Sequence, residues 1–431
     1  MSKIQDLHKV SLPAQLFLAV FAIVLFEGAI RKWLLGSATI PLMALRDLMV
    51  FSGVLWGIYK KRFRFDRLQE SILLAWTTLV VVWTLLQVIL EIQPAVVAVI
   101  GLRGWLLYLW FALLCFRCLS YQDLGRILVI ILYTLPPMSA LVVFQHFMPP
   151  GHPINVQPDT PVGEVFTVAM GVVRTTGTFS FTAGYAQYLA FVTPLVLAVV
   201  AQPSLCGLWL RYSAFFSYFL GVAVSGSRGA IAFSVLMIIM FGYGLLRKGG
   251  KGLAQLIVIA LLVLPLAAAV PVFLRSAIDA TSTRFEQASE AEDVTARVIH
   301  MVIGSPSAWS NFSFLGHGVG LGSNAALKFI PDVQKVFLLG ENEMERVIGE
   351  GGFLGLLFVF AKIIVVFFGI WFSHRRIKQD LVPWLFWCFL FPQLLFSSTV
   401  GQITINAFTF LGLGVGWVLI KMNRYPEAAR G

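Results

Sequence analysis

The strongest chemical demands in this chain come from arginines set among apolar residues. Arg228 lies in Ser225-Gly226-Ser227-Arg228-Gly229, a polar turn between two apolar stretches that together fill residues 208–246. A guanidinium cannot shed its charge, so next to hydrocarbon it needs water, a partner or an anionic ligand. Arg103 raises the same demand, and neither it nor Arg228 has an acid within one helical turn. A diphosphate would satisfy both. Arg174 opens a second polar stretch, Arg174-Thr175-Thr176-Gly177-Thr178-Phe179, just before another apolar run. Proton-accepting groups come later in the chain, at His317, Glu341 and Glu350. Together these types suit chemistry in which cations hold an anion while a base takes a proton.

The elements that position these residues are transmembrane helices. Of 431 residues, 58% are hydrophobic and only 12% charged, with mean hydropathy +0.84, which excludes an ordinary soluble domain. The apolar segment from Ala14 to Ile30 ends in no small-residue cleavage site and is followed by another span, so it reads as a retained first helix. Cys115, Cys118, Cys206 and Cys388 fall in or beside apolar spans, and Cys115-Phe116-Arg117-Cys118 has no second pair to complete a zinc site. They read as free thiols.

Windows of about 20 residues, the length that crosses a hydrocarbon core, place spans near 14–33, 40–59, 71–91, 97–118, 126–147, 181–201, 208–224, 230–246, 252–272, 352–372, 381–399 and 402–421. The expected fold class is therefore all-α, a polytopic integral membrane protein of about twelve helices forming a single membrane domain over residues 1–431. When the spans are threaded alternately, Lys60-Lys61-Arg62-Phe63-Arg64, Arg247-Lys248 with Lys251, and Arg375-Arg376 with Lys378 fall on one side. That side should be cytoplasmic. Both termini then lie inside, while residues 148–180, residues 273–351 and the Arg228 turn lie outside. The inner side carries roughly 19 Lys and Arg against 6 Asp and Glu, the outer side roughly 12 against 15. The net charge of +11 is thus a topological signal and gives no reason to expect nucleic acid.

Glu27, Arg31, Arg46, Asp47, Arg103, Arg174 and Arg228 form an outward polar layer at shallow depth. Glu27 and Arg31, spaced i,i+4, are expected to pair, and Arg46 and Asp47 to find partners across helices. Lys362 lies mid-span and receives no role. The 273–351 segment is the large extracytoplasmic loop between the ninth and tenth spans, too long to be structureless. Within it, Glu290–Val302 has helical periodicity and should lie on the membrane surface with Arg297 and His300 near head groups. Gly316-His317-Gly318-Val319-Gly320-Leu321-Gly322 lacks the dinucleotide spacing and reads as a flexible turn. Glu341-Asn342-Glu343-Met344-Glu345-Arg346 leads to Glu350-Gly351-Gly352-Phe353-Leu354-Gly355, where Glu343 and Glu345 suit a solvated helix start.

Taken together, Arg174-Thr175-Thr176-Gly177-Thr178-Phe179, Ser227-Arg228-Gly229 and Gly318-Val319-Gly320-Leu321-Gly322, in this order and on this side, resemble the O-antigen polymerase and O-antigen ligase superfamily of bacterial membrane glycosyltransferases. The resemblance covers nearly the whole topology, and its motifs run from Arg174 to Gly355. A fourth family element is a His-Asn pair before a glycine-rich helix entry. Here Asn342, Glu350, Gly352 and Gly355 keep its register, but Glu341 stands at the histidine position. Glu27-Gly28-Ala29-Ile30-Arg31-Lys32-Trp33 with Arg46-Asp47 looks like a subgroup associated with exopolysaccharide clusters.

The resemblance implies transfer of an oligosaccharide from a polyprenyl-diphosphate carrier to a sugar hydroxyl, outside the cytoplasmic membrane, with no metal or cofactor. For such a reaction, residue chemistry makes Arg228 and Arg174 the expected diphosphate ligands, with Arg103, Arg297 and Arg346 in support, and Glu341 the expected base, with Glu350 or His317 as replacements. The partners expected are the lipid-linked glycan, the bilayer, a flippase and a chain-length regulator. A ligase would differ only in its acceptor. A secondary transporter also suits twelve spans, but polar residues gather at the outer edge and no repeat relates the halves.

Overall fold

The computed structural model of the protein describes residues 10–36, 39–63, 65–158, 173–250, 252–255, 257, 299–300, 304, 309–326, 329 and 342–424. The fold is all-helical, with no strand among the described residues. In chain order the helices are α1 (Leu12–Trp33), α2 (Thr39–Tyr59), α3 (Arg67–Ile89), α4 (Ala95–Leu102), α5 (Tyr108–Cys118), α6 (Tyr121–Tyr133), α7 (Leu135–Phe147), α8 (Thr182–Ala201), α9 (Leu208–Val224), α10 (Arg228–Arg247), α11 (Glu343–Gly351), α12 (Phe353–Arg375), α13 (Val382–Leu395) and α14 (Ile403–Arg424). A π-helical turn, Arg103–Leu107, joins α4 to α5. Nine helical segments among the described residues are long and apolar enough to cross a membrane, with α4–α5 and α6–α7 each counted as one, and α9 and α13 are shorter apolar helices. The span expected at 252–272 and the surface helix expected at Glu290–Val302 fall largely outside the described residues.

Local sequence sets the helix ends. Ser11 caps α1 by accepting from the Ala14 amide, and Pro13 suits the first turn. Ser120 and Asp123 form a reciprocal capping box on α6. Ser227 caps α10, so the polar turn holding Arg228 is also the start of a helix. Between α11 and α12 the chain reverses at Gly352, whose φ of 57° is open to glycine.

Burial divides the bundle into centre and periphery. Within its most apolar window, α8 is 83% buried and α14 78%, whereas α3 is 17% buried. The centre is filled by aromatic rings, with Phe191 and Phe408 5.1 Å apart between α8 and α14. Helices α2, α3 and α10 turn large apolar side chains outward, as surfaces against lipid do.

Polar contacts identify which helix ends share a face of the bundle. At one end, Lys32 of α1 donates to Thr176 Oγ1 (2.6 Å) and to the Gly177 carbonyl (2.8 Å). Gln145 of α7 accepts from the Gly177 amide (2.8 Å), and Thr175 donates to the Val224 carbonyl at the end of α9. Trp83 and Gln87 of α3 donate to the Leu315 carbonyl. At the opposite end, the Ser11 amide meets Asp123, Gln202 meets Asp380, and Lys421 meets the last carbonyls of α5.

A buried ion pair fixes the re-entry of the chain at α11. Lys362 Nζ lies 2.7 Å from Glu343 Oε1 and 3.1 Å from Thr399 Oγ1, with Lys362 6% and Glu343 2% exposed. This corrects two sequence expectations. Glu343 and Glu345 are buried, so they are not a solvated helix start, and Lys362 has a structural role as the partner of Glu343. Removing one partner of a buried pair costs about 3–5 kcal/mol, because the other charge stays buried without compensation. Lys362→Met should therefore lower the apparent Tm in detergent by several degrees, and Lys362→Met with Glu343→Leu should recover most of the loss. Equal loss in both variants would show that the pair does not act in this way.

Candidate functional site

The π-helical turn carries Arg103 on its first residue and leads directly to Tyr108, bringing both toward the start of α2. Arg103 Nη1 donates to Asp47 Oδ2 (3.2 Å), and the Tyr108 hydroxyl donates to Asp47 Oδ1 (3.0 Å). Next to Asp47, Arg46 is fully buried, donates to Glu27 Oε2 (3.0 Å) and lies 3.6 Å from Asp47 Oδ1. Glu27 therefore pairs with Arg46 across two helices. The i,i+4 pairing expected with Arg31 is replaced, and Arg31 Nη1 donates to Ser180 Oγ (3.1 Å). The acid that Arg103 lacks within its own helix is supplied by α2.

These groups border a cavity of about 1140 Å³. Its polar wall includes Glu27, Arg31, Asp47, Arg103, Ser180 and Gln402, and its apolar wall includes Ile40, Leu48, Phe51 and Val99. Leu48 is 60% and Val99 68% exposed, so the apolar wall continues onto the outer surface of α2 and α4. Asn324, Ala325 and Phe329 contribute from the loop that follows the glycine-rich segment. The cavity is amphipathic, with a charged interior and a side face suited to hydrocarbon.

Close backbone approaches build its walls. A Cβ on Gly28 would collide with the backbone of Thr178, Phe179 and Ser180, and one on Gly101 with Val319 and Gly320. Both glycines thus let loop segments lie directly on a helix. Gly316, Gly318 and Gly320 all have positive φ, and the segment that sequence alone suggests is a flexible turn is anchored. Val319 donates to Gln87 Oε1 (2.9 Å), His317 to the Gly349 carbonyl (2.8 Å) and Gly318 to the Glu350 carbonyl (3.1 Å).

Glu350 forms a second polar centre. Its Oε2 accepts from Trp105 Nε1 (2.8 Å) and its Oε1 from the Gly322 amide (2.8 Å), so one carboxylate ties α11, the π-helical turn and the glycine-rich segment together. Burial pushes this carboxyl up to about 7, outweighing the hydrogen bonds from Trp105, Gly320 and Gly322 that favour its charged form. Arg346, one turn earlier, donates to Ser398 Oγ (3.1 Å) and to the Gly322 carbonyl (3.4 Å).

The residues singled out from sequence are thus distributed over several places. Arg103 lines the cavity. Arg174 and Arg228 lie on neighbouring turns joined through the Thr175–Val224 hydrogen bond, and neither they nor Arg346, Glu350 and His317 are among the cavity's lining residues. His317 Nε2 is 3.1 Å from the Asn311 carbonyl. Glu341 and Arg297 lie outside the described residues. Lys32, Gln87, Trp105, Tyr108 and Gln145 were missed by sequence reasoning. The available signal was that each is a hydrogen-bonding side chain inside an apolar span, which must find a partner there.

Comparison with family models, with curated proteins and with solved structures finds no match to this chain.

The Glu350 centre gives stability a definite pH dependence. With its folded value near 7 and its ordinary value of 4.5, the folded protein binds more protons than the unfolded chain between these limits. Stability from this group is therefore greatest at the acidic side and falls as pH rises toward 7, by roughly 3 kcal/mol in all. Glu350→Gln should flatten the change in apparent Tm between about pH 4.5 and pH 7. An unchanged slope would remove Glu350 as its source.

Proposed function

We propose that this protein polymerises polyprenyl-diphosphate-linked oligosaccharide repeat units at the outer face of the bacterial cytoplasmic membrane, as a metal-independent glycosyltransferase. The observation that carries this reading is the amphipathic cavity. A lipid-linked sugar has an apolar tail, an anionic diphosphate and a polar glycan, and the cavity offers a surface for each. The exposed apolar faces of α2 and α4 suit the tail. Ser180, Asn324 and Gln402 suit sugar hydroxyls. Among the described residues, the charged wall carries Arg31 and Arg103 together with Glu27 and Asp47, and the buried Arg46 stands behind it. Its arginine forks match phosphate oxygens.

The sidedness follows from charge. The basic residues that follow α2, α10 and α12 in sequence stand after the helix ends opposite the cavity, and under the positive-inside rule this favours an outward-facing cavity. On this reading there are about twelve spans, both termini are cytoplasmic, and residues 273–351 belong to the extracytoplasmic side. In the reaction an acceptor hydroxyl oxygen bonds to the anomeric carbon of the donor, and the bond from that carbon to the diphosphate oxygen breaks. The electron pair leaves with the diphosphate, whose growing charge the arginines stabilise. Arg31 and Arg103 line the cavity and are the cations assigned to the diphosphate. Arg174 and Arg228 stand on the two turns that the Thr175–Val224 hydrogen bond joins.

Purified protein in proteoliposomes, supplied with lipid-linked repeat units, should yield a ladder of longer glycans and release polyprenyl diphosphate. Arg103→Lys keeps the charge facing Asp47 but loses the fork, and it should lower turnover at least about tenfold, as should Arg31→Lys. A larger loss in Arg228→Ala than in either would move the diphosphate to the Arg174–Arg228 turns. Transfer of a finished glycan to another acceptor, without elongation, would make the protein a ligase. Uptake without any transfer would overturn the enzymatic reading.

A further inference from the structure

An acceptor hydroxyl cannot attack without losing its proton, and none of the groups so far considered for this task both lies among the described residues and lines the cavity. Glu350 does not line it, and both of its oxygens are engaged, one by Trp105 and one by Gly322. His317 does not line it either. Two carboxylates do, Glu27 and Asp47. Their surroundings differ in a way that separates their roles.

Asp47 has a donor on each oxygen: the Tyr108 hydroxyl on Oδ1 at 3.0 Å and Arg103 on Oδ2 at 3.2 Å, with Arg46 Nε also 3.6 Å from Oδ1. It bridges two arginines and a tyrosine, and a proton placed on it would disturb all three contacts. Glu27 is held through one oxygen only, Oε2, by Arg46 at 3.0 Å. Arg46 is in turn fixed by Asp47 and lies over the Tyr108 ring at 5.9 Å. The backbone beneath Glu27 is equally constrained, because its neighbour Gly28 lies against Thr178–Ser180. Glu27 is thus aimed by a rigid support while its second oxygen is not needed to hold the network. This is the arrangement a general base requires.

We propose that Glu27 is the general base of the transfer, taking the acceptor hydroxyl proton on Oε1, and that Asp47 and Arg46 are positioning residues that hold it. This rests on the glycosyl-transfer reading. In the step, the acceptor oxygen bonds to the anomeric carbon as its proton passes to Glu27 and the diphosphate departs with the electron pair of the broken bond. The Glu27 carboxylic acid then releases the proton to water through the open cavity, which restores the carboxylate. While Glu27 carries the proton, the charge of Asp47 is shared between Arg46 and Arg103.

The test uses the full-length protein in proteoliposomes with lipid-linked repeat units, and compares wild type with Glu27→Gln, Glu27→Asp and Glu341→Gln. Chain elongation by wild type establishes the transfer reading, and its absence rejects that reading whatever the variants do. Given wild-type elongation, Glu27→Gln, which keeps an oxygen for Arg46, should lose at least about a hundredfold in kcat with KM for the donor little changed. Glu27→Asp keeps a carboxylate one methylene farther away and should retain intermediate turnover, which a purely structural role for Glu27 does not predict. Glu341→Gln should lose less turnover than Glu27→Gln. The inference is overturned if Glu27→Gln elongates chains at near the wild-type rate, if its loss appears only in KM, or if Glu341→Gln is the variant that abolishes turnover. Should Glu27→Gln not fold, the order of Glu27→Asp and Glu341→Gln decides: the inference stands if Glu27→Asp is the slower and fails if Glu341→Gln is.

Discussion

A guanidinium with no contact to solvent must be neutralised by the protein around it, and Arg46 obliges α1, α2 and the α4–α5 segment to meet at one place. Glu27 reaches it from α1, Asp47 stands beside it on α2, and the Tyr108 ring lies alongside from α5. Asp47 then draws in Arg103, which the π-helical turn presents at that level. In a low-dielectric setting such a set is stable only when every charge keeps its partner, since an orphaned buried ion costs several kcal/mol. The geometry of these elements is therefore narrowly constrained, and the cavity is the space they leave open between them.

The other walls come from irregular backbone, which at membrane depth must have its amides and carbonyls satisfied by the protein. That requirement explains the amide side chains buried within apolar helices. Gln145 serves the Thr176–Gly177 backbone from both its oxygen and its nitrogen, and Gln87 does the same for the 315–319 segment. Gly28 and Gly101 complete the arrangement by letting these segments lie on helix surfaces without an intervening side chain. The backbone polar groups of these segments are thereby satisfied within the protein.

Two polar centres thus stand side by side with different characters. At Glu350 the hydrogen-bonding capacity is consumed internally, joining α11, Trp105 and the glycine-rich segment, and this suits a support. At the cavity, charges are paired yet accessible, and an apolar surface runs from them onto the outer faces of α2 and α4. The proposed transfer chemistry belongs to the second centre and depends on the first for the position of the Asn324 loop.

Much of the fold was legible in the sequence, because hydrophobicity over a 20-residue window is a local property. The helices other than α11 fall where apolar runs do, and the burial of Cys115 and Cys388 and the polar layer near Glu27, Arg46 and Asp47 could be read in the same way. Which arginine meets which acid was not legible. Arg103 and Asp47 are 56 residues apart, Glu343 and Lys362 are on different helices, and Arg46 reaches Glu27 on another helix as well as its neighbour Asp47. The sequence by itself determined an all-helical membrane protein with surplus arginine and acid at one set of helix ends. Only the tertiary structure decided that Arg31, Asp47, Arg103 and Glu27 border one cavity while Glu350 holds a neighbouring loop, because side-chain pairing depends on how helices pack, and no periodicity within a single helix records that.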